Sequence, residues 1–218
     1  MTRELYAAVT IDVVGSTAIY EETAEPLRPK LQRAIDLVND RFCEQFAVPM
    51  SVILGDECQG LLRDVSACPM VVNEVRLHVA PIRCRAGVGV GEVVSEIKPT
   101  TAEMEGAAFA LSRDALEQGK RSKRALTVYR LPDPRIQQAA NAMHALIDVV
   151  QKRWTQKQWE AVRLYAETGD MAEVGRRLGL TPQAVQHRLR STAWAEVDAA
   201  VAAVSSLLAG SALSTGPD

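Results

Sequence analysis

What the chain lacks narrows the field first. No apolar run in its 218 residues is long enough to span a membrane, and the opening stretch MTRELYAAVTIDVVGST is too short and too polar for a secretory leader. Cysteine is sparse: Cys43, Cys58, Cys68 and Cys84 are widely spaced and form no CxxC pair. That argues against a structural zinc site and reads as reduced core thiols in a cytoplasmic protein. There is no excess of one charge: the formal net charge of −2 rules out a general polyanion binder, so any DNA contact has to come from a local patch. No Gly-Lys-Ser/Thr occurs, so there is no P-loop, and no internal repeat is found.

What is present suffices for a real core. Apolar residues make up 47% of the chain, and the length allows one large domain or two small ones. Residues 5–14 read as a buried strand running into a turn at Gly15-Ser16-Thr17. Leu31, Ile35, Val38, Phe42 and Phe46 fall at helical spacing, predicting a helix over 27–46. Residues 50–54 and 58–63 predict a hairpin around Gly55-Asp56-Glu57. A helix over 70–79, a glycine-rich strand over 83–94, a helix over 105–117 and a strand over 125–130 follow. This β-α-β-β-α-β order with an added helix and strand predicts an α+β fold, a ferredoxin-like or palm sheet with its helices on one face.

Leu131-Pro132-Asp133-Pro134 punctuates the chain, and everything after it reads as helix. The expected division is a palm domain over 1–131, a linker helix over 132–153, an all-α helix-turn-helix domain with a C-terminal helix over 154–209, and a frayed tail over 210–218. Within the helical part, Thr155 with Gln158 and Asp170 with Glu173 read as two capping boxes. Gly179 supplies a left-handed turn, Leu180 plugs the core, and Thr181 caps a third helix with Pro182 in its first turn. Val185 and Leu189 then face inward, leaving Gln183, Gln186, His187 and Arg190 outward. Glutamine can pair with adenine and arginine with guanine or phosphate, while Arg176, Arg177 and Arg188 could grip the backbone. Residues 170–190 hold four arginines against two acids, a modest basic face. The same signals also fit a plain helical bundle or a protein-docking trihelix. The Ala- and Val-rich stretch over 194–208 is too apolar to stand alone: it either forms a dimer helix or packs back on the linker helix.

In the palm, Asp12 follows an apolar strand and Asp56 sits in the hairpin turn. Their strands would be neighbours, and two close carboxylates repel unless a cation such as Mg²⁺ lies between them. The plainer reading is that Asp12 caps a turn with Ser16 or Thr17 and that Gly55-Asp56 is ordinary hairpin chemistry. Gly87, Gly89 and Gly91 strip one face of a strand, which suits close approach of either a helix or a ligand. Lys120-Arg121-Ser122-Lys123-Arg124 is either a solvated loop or a phosphate-facing one. His78 and His144 read as packing or surface residues.

These motifs resemble a known set. Asp12-Val13-Val14-Gly15-Ser16-Thr17 resembles the first metal motif of class III nucleotide cyclases, Gly55-Asp56-Glu57 the second, and the strand from Arg85 to Gly91 their later glycine strand. The closer resemblance is to the SatD family. It is carried by Ile11 to Ser16, Gly55 to Gly60, Arg85 to Glu92, Gly106-Ala107-Ala108-Phe109 with Arg113, and Trp154-Thr155 with Gln158. It implies a cyclase-like palm followed by a DNA-binding module, with Asp12 and Asp56 as metal aspartates and Gly15, Ser16, Thr17 and Arg113 at a nucleotide. The cyclase Asn and Arg, four residues apart, are not matched: Ala110 takes the Asn position and Arg113 falls one residue short. Losing them would remove much of the charge stabilisation that phosphoryl transfer needs. The resemblance therefore implies a sensor that binds Mg²⁺ and a nucleotide. The resulting expectation is a DNA-binding transcriptional regulator, a homodimer without membrane contact, whose palm senses a nucleotide or drives dimerisation. The alternatives are an active cyclase or nucleotidyltransferase with an appended DNA-binding domain, or an adaptor in which both modules bind protein.

Overall fold

The computed structural model describes residues 4–15, 27–122 and 126–213. Five strands form one sheet: β1 (Tyr6–Val13), β2 (Phe46–Leu54), β3 (Glu57–Leu62), β4 (Cys84–Gly91) and β5 (Thr127–Arg130), in the order β2-β3-β1-β4-β5. Among the described strands only the β4–β5 pair is parallel. Alternation along β1 sends Ala7, Val9, Ile11 and Val13 into the main core, where they meet α1 (Leu27–Arg41) and α2 (Cys68–Val79). The opposite face carries Ala8, Thr10 and Asp12 and is covered by α3 (Ala107–Arg121).

Helices thus lie on both faces, not on one as the element order suggested. The glycine stripe is the cause. A Cβ on Gly87 would stand 2.2 Å from the Ser112 carbonyl oxygen, and one on Gly89 would stand 2.1 Å from the Ser112 nitrogen. The stripe lets the backbone of α3 rest directly on the strand, so helix packing, not a ligand cradle, explains it. A buried relay locks the contact. Gln59 donates to Thr10 Oγ1 at 2.8 Å, Thr10 donates to Ser112 Oγ at 2.7 Å, and Ser112 donates to the Gly87 carbonyl at 2.9 Å.

The first helix ends at Arg41, and Phe46 opens β2 instead of closing the helix, because residues 42–45 turn. Cys43 lies exposed in that turn, contrary to the expectation of four core thiols, whereas Cys58, Cys68 and Cys84 are buried and free.

Beyond β5, α4 (Pro134–Gln151) is firmly built into the palm. Its Gln137, Asn141 and Asp148 side chains fall at helical spacing and bond the open edge of β5. Asn141 accepts from Tyr129 N at 2.8 Å and donates to Tyr129 O at 3.1 Å. Asp148 accepts from the Leu126 and Thr127 amides at 2.6 and 2.9 Å, and Gln137 accepts from Leu131 N at 3.0 Å. Asp148 also pairs with Arg76 of α2 at 2.7 Å, and Arg76 reaches Thr127 Oγ1 at 2.7 Å. His144 is buried and takes a 2.9 Å hydrogen bond with the Tyr129 hydroxyl; burial pushes its imidazole down to about 4.

The remaining helices are α5 (Gln156–Thr168), α6 (Met171–Leu178), α7 (Pro182–Arg190) and α8 (Trp194–Leu213). They enclose a second core of Ala161, Val162, Leu164, Val174, Val185 and Leu189. The apolar α8 packs back and joins the two cores, with Val197 and Val201 in the second and Val204 and Leu208 in the first. No single described helix is long and apolar enough to cross a membrane.

Candidate functional site

Two sites emerge, one at an end of the sheet and one on α7. At the sheet, Ile11 pairs with Cys58 across β1 and β3, which places Asp12 beside the hairpin turn that carries Asp56. Burial raises the Asp12 carboxyl above its ordinary range; Lys120 opposes the rise, the Asp56 charge adds to it, and Arg85 opposes it. Asp12 Oδ2 accepts from Arg85 at 3.2 Å, and Glu57 Oε1 accepts from Arg113 at 3.4 Å. Asp56 Oδ2 is buried and has no hydrogen-bond partner. A buried carboxylate oxygen left unsatisfied is costly, so a second carboxylate close to an orphaned oxygen fits a hard divalent cation. Among the described residues, no group of three or more His, Cys, Asp or Glu side chains gathers as a metal cage. A cation held by Asp12 and Asp56 would need carbonyl, water or phosphate oxygens to complete its shell.

Of the residues expected at a nucleotide, Gly15 is exposed with φ +74°, and Arg113 lies on the same side of the sheet as the two aspartates. Ser16 and Thr17 lie outside the described residues, as do Lys123 and Arg124 of the basic run. Ala110, which the resemblance sets at the cyclase Asn position, is exposed on α3. Sequence reasoning missed Arg85, Glu57 and Lys120 as neighbours of the aspartates. Arg85 could have been found: it shares the alternation of Gly87 and Gly89, and it pairs directly with Asp12 in the β1–β4 register.

The second site is assembled by caps. Thr155 and Gln158 form the expected capping box. Asp170 caps α6 through the Ala172 amide, but Glu173 does not reach back to close a second box. It turns instead to Arg176 and Arg177, at 2.6 and 2.7 Å, which pull its carboxyl below the usual range. Both glycines after these helices adopt the left-handed conformation, Gly169 at φ +65° and Gly179 at φ +66°. Gly175 was not anticipated: a Cβ there would meet the Leu180 carbonyl at 2.6 Å, so only glycine lets the turn fold down on α6. Thr181 caps α7 through the Ala184 amide at 3.2 Å. Val185 and Leu189 are buried, while Thr181, Gln183, Gln186, His187 and Arg190 are exposed. Lys157 and Arg188 flank them, with Arg188 donating to the Lys157 carbonyl at 3.4 Å. Arg176 and Arg177 are exposed but already engaged by Glu173.

The chain thus joins a palm-like sheet, with helices on both faces, to a helical module. The chain belongs to the SatD family, whose pattern matches residues 6–196. No curated protein matches it. Among solved structures it is similar to a bacterial light-regulated adenylyl cyclase, with TM-score 0.42 and 10% identity over 57% of this chain and 74% of that one. It is also similar to the active GGEEF domain of a diguanylate cyclase from Vibrio cholerae, with TM-score 0.39 and 15% identity over 60% of this chain and 85% of that one. The monomeric guanylyl cyclase domain of the RhoGC fusion protein from Blastocladiella emersonii gives TM-score 0.36 and 16% identity over 51% and 74%.

Proposed function

We propose that this protein is a DNA-binding transcriptional regulator whose cyclase-like palm holds a divalent cation and a nucleotide without turning the nucleotide over. The observation that carries the DNA reading is the outer face of α7. After a left-handed glycine turn, Gln183, Gln186, His187 and Arg190 all stand exposed on one short capped helix, and no other described part of the chain covers them. Such a helix can enter a major groove and present amide and guanidinium groups to base edges. Lys157, Arg176, Arg177 and Arg188 are placed to meet phosphates. The ion pairs that Arg176 and Arg177 make with Glu173 are surface pairs, cheap to exchange. A homodimer would present two such helices to half-sites about 34–36 Å apart.

Selection from randomised DNA followed by binding across a salt series tests this. An enriched sequence and a falling affinity with salt are expected, with the log–log slope shrinking by about 0.9 for each phosphate-contacting arginine removed. Absence of any enriched sequence, or of salt sensitivity, would refute it.

At the palm, Asp12 and Asp56 would hold the cation, which would supply positive charge for nucleotide phosphates. Arg113 and Lys120 extend from α3 toward the same side. The orphaned Asp56 oxygen also supports the second reading, an active cyclase or nucleotidyltransferase. Incubation with ATP or GTP and Mg²⁺ or Mn²⁺ separates the two. A cyclic or transferred product that disappears in both Asp12→Ala and Asp56→Ala would replace the sensor reading.

A further inference from the structure

The helix α8 is apolar nearly all round, with Glu196 and Asp198 as its charged residues, and a helix of that kind is normally covered on every side. The described chain covers one side: Val197, Val201, Val204 and Leu208 are buried in the two cores. The outer side carries Ala195, Ala199, Ala202 and Ala203, all exposed. Next to it, α4 continues the same surface. Ala142, Leu146 and Val149 fall at helical spacing on one exposed side of α4, with Leu146 69% and Val149 40% exposed. Between the two helices runs a hollow of about 260 Å³ lined by Met143, Leu146, Val150 and Ala200, with Glu196 on its wall.

The rim carries both signs of charge. Arg135 and Arg153 stand exposed at the two ends of α4, and Glu196 and Asp198 stand exposed near the start of α8. None of the four makes an ion pair among the described residues. A surface that bears both signs can be complementary to itself, as a two-fold contact requires, and its carboxylates disfavour an anionic lipid surface. With 18 residues, α4 is about 27 Å long. Side by side, the two helices offer a face about 27 Å by 20 Å, so two copies would bury roughly 1,000 Å², the lower bound for a specific interface.

We propose that the outer faces of α4 and α8 form the interface of a two-fold dimer, with a second copy of this chain as the occupant. The four helices pack as a bundle in which the alanine faces allow close approach, Leu146 and Val149 fill the centre, and the arginines of α4 meet carboxylates of α8 across the rim. The inner side of α8 then joins the two cores of one copy, and its outer side joins the two copies. The dimer does not rest on the DNA reading. Where that reading holds, the interface also fixes the distance between the two α7 helices, because only residues 191–193 separate α7 from α8.

Sedimentation equilibrium of the full chain, with EDTA and without DNA or nucleotide, tests this separately from the functional readings. Twice the chain mass is expected from about 10 µM upward. Leu146→Glu and Ala199→Arg each put a charge into the interface and should each weaken the dimer about tenfold or more, with the folded state kept by circular dichroism. Ala199 is exposed on α8, so its variant reports even where Leu146→Glu lowers stability. Val94→Glu, at an 82% exposed side chain outside both helices, should leave the mass unchanged. A single-chain mass at about 100 µM would overturn the proposal, as would open-ended larger assemblies. So would a dimer insensitive to both interface variants, or one weakened equally by Val94→Glu, since either puts the contact elsewhere. Flotation of a monomeric chain with phosphatidylcholine and phosphatidylglycerol vesicles would assign the face to a membrane and overturn it too.

Discussion

Replacing Gly89 with alanine should damage the protein far more than a single methyl suggests. The new Cβ would lie 2.1 Å from Ser112 N, 2.4 Å from the Ala108 carbonyl oxygen and 2.7 Å from the Leu111 carbonyl carbon. All three are backbone atoms inside α3, so no side chain can swing aside; the helix itself must retreat by about 1 Å to restore ordinary contact. Overpacking of this kind costs about 1–3 kcal/mol. The retreat also stretches the Thr10–Ser112 and Ser112–Gly87 bonds of 2.7 and 2.9 Å. A buried hydroxyl left without a partner adds about 1–3 kcal/mol. A loss of about 2–6 kcal/mol is therefore expected, and in a chain of this size that lowers Tm by about 4–24 °C. Thermal melts followed by circular dichroism measure it. Gly87→Ala should behave alike, since its Cβ would stand 2.5 Å from Leu116 N, whereas Gly91→Ala, at 3.0 Å from Ala107 Cβ, should be milder. A Gly89→Ala melt within about 2 °C of wild type would refute the packing account. Lost nucleotide binding with an unchanged melt would instead restore the ligand cradle.

Arg190→Ala should weaken DNA binding by about 1–3 kcal/mol, roughly five- to 150-fold, in a binding titration, with the melt unchanged because its side chain is exposed. Asp12→Asn should stabilise the protein at neutral pH in chemical denaturation. The native pKa of Asp12 is raised, so its ionisation opposes folding, and the gain should vanish as pH falls below the ordinary carboxylate range. Cation affinity should likewise fall on acidification, as protons compete for Asp12. Arg76→Met strands the buried Asp148 carboxylate and should cost about 3–5 kcal/mol in denaturant titrations; a loss under about 1 kcal/mol would mean the two backbone amides alone satisfy Asp148. Leu180→Asp should selectively melt the second core, against which Leu180 packs, while an unchanged thermal profile would contradict that packing.

The parts of the fold that were legible in the sequence rest on short-range rules. The apolar run of β1, the Gly55-Asp56 hairpin and the caps at Thr155, Asp170 and Thr181 are each written within a few residues. The helix after Gly106 was legible too, but its side of the sheet was not. That depended on matching the glycine stripe to the backbone of Ser112, 25 residues from Gly87. His144 read as a packing or surface residue because its partner, Tyr129, lies on a strand edge that a one-dimensional pattern does not show. At the candidate metal site, neighbouring strands were enough to bring Asp12 toward Asp56. Arg85, Glu57 and Lys120 stayed hidden because their roles depend on register and on the pitch of α3.

The polar stripe on α4 stands in for a sixth strand. With Gln137, Asn141 and Asp148 occupying the hydrogen-bonding groups of β5, no second molecule can extend the ribbon at that border. The opposite rim, β2, carries Pro49 and three register irregularities, which make it a poor template as well. Growth of the sheet from copy to copy is discouraged at both ends. Self-association, where it occurs, has to be built from helical surfaces, such as the one on which Leu146 stands 69% exposed.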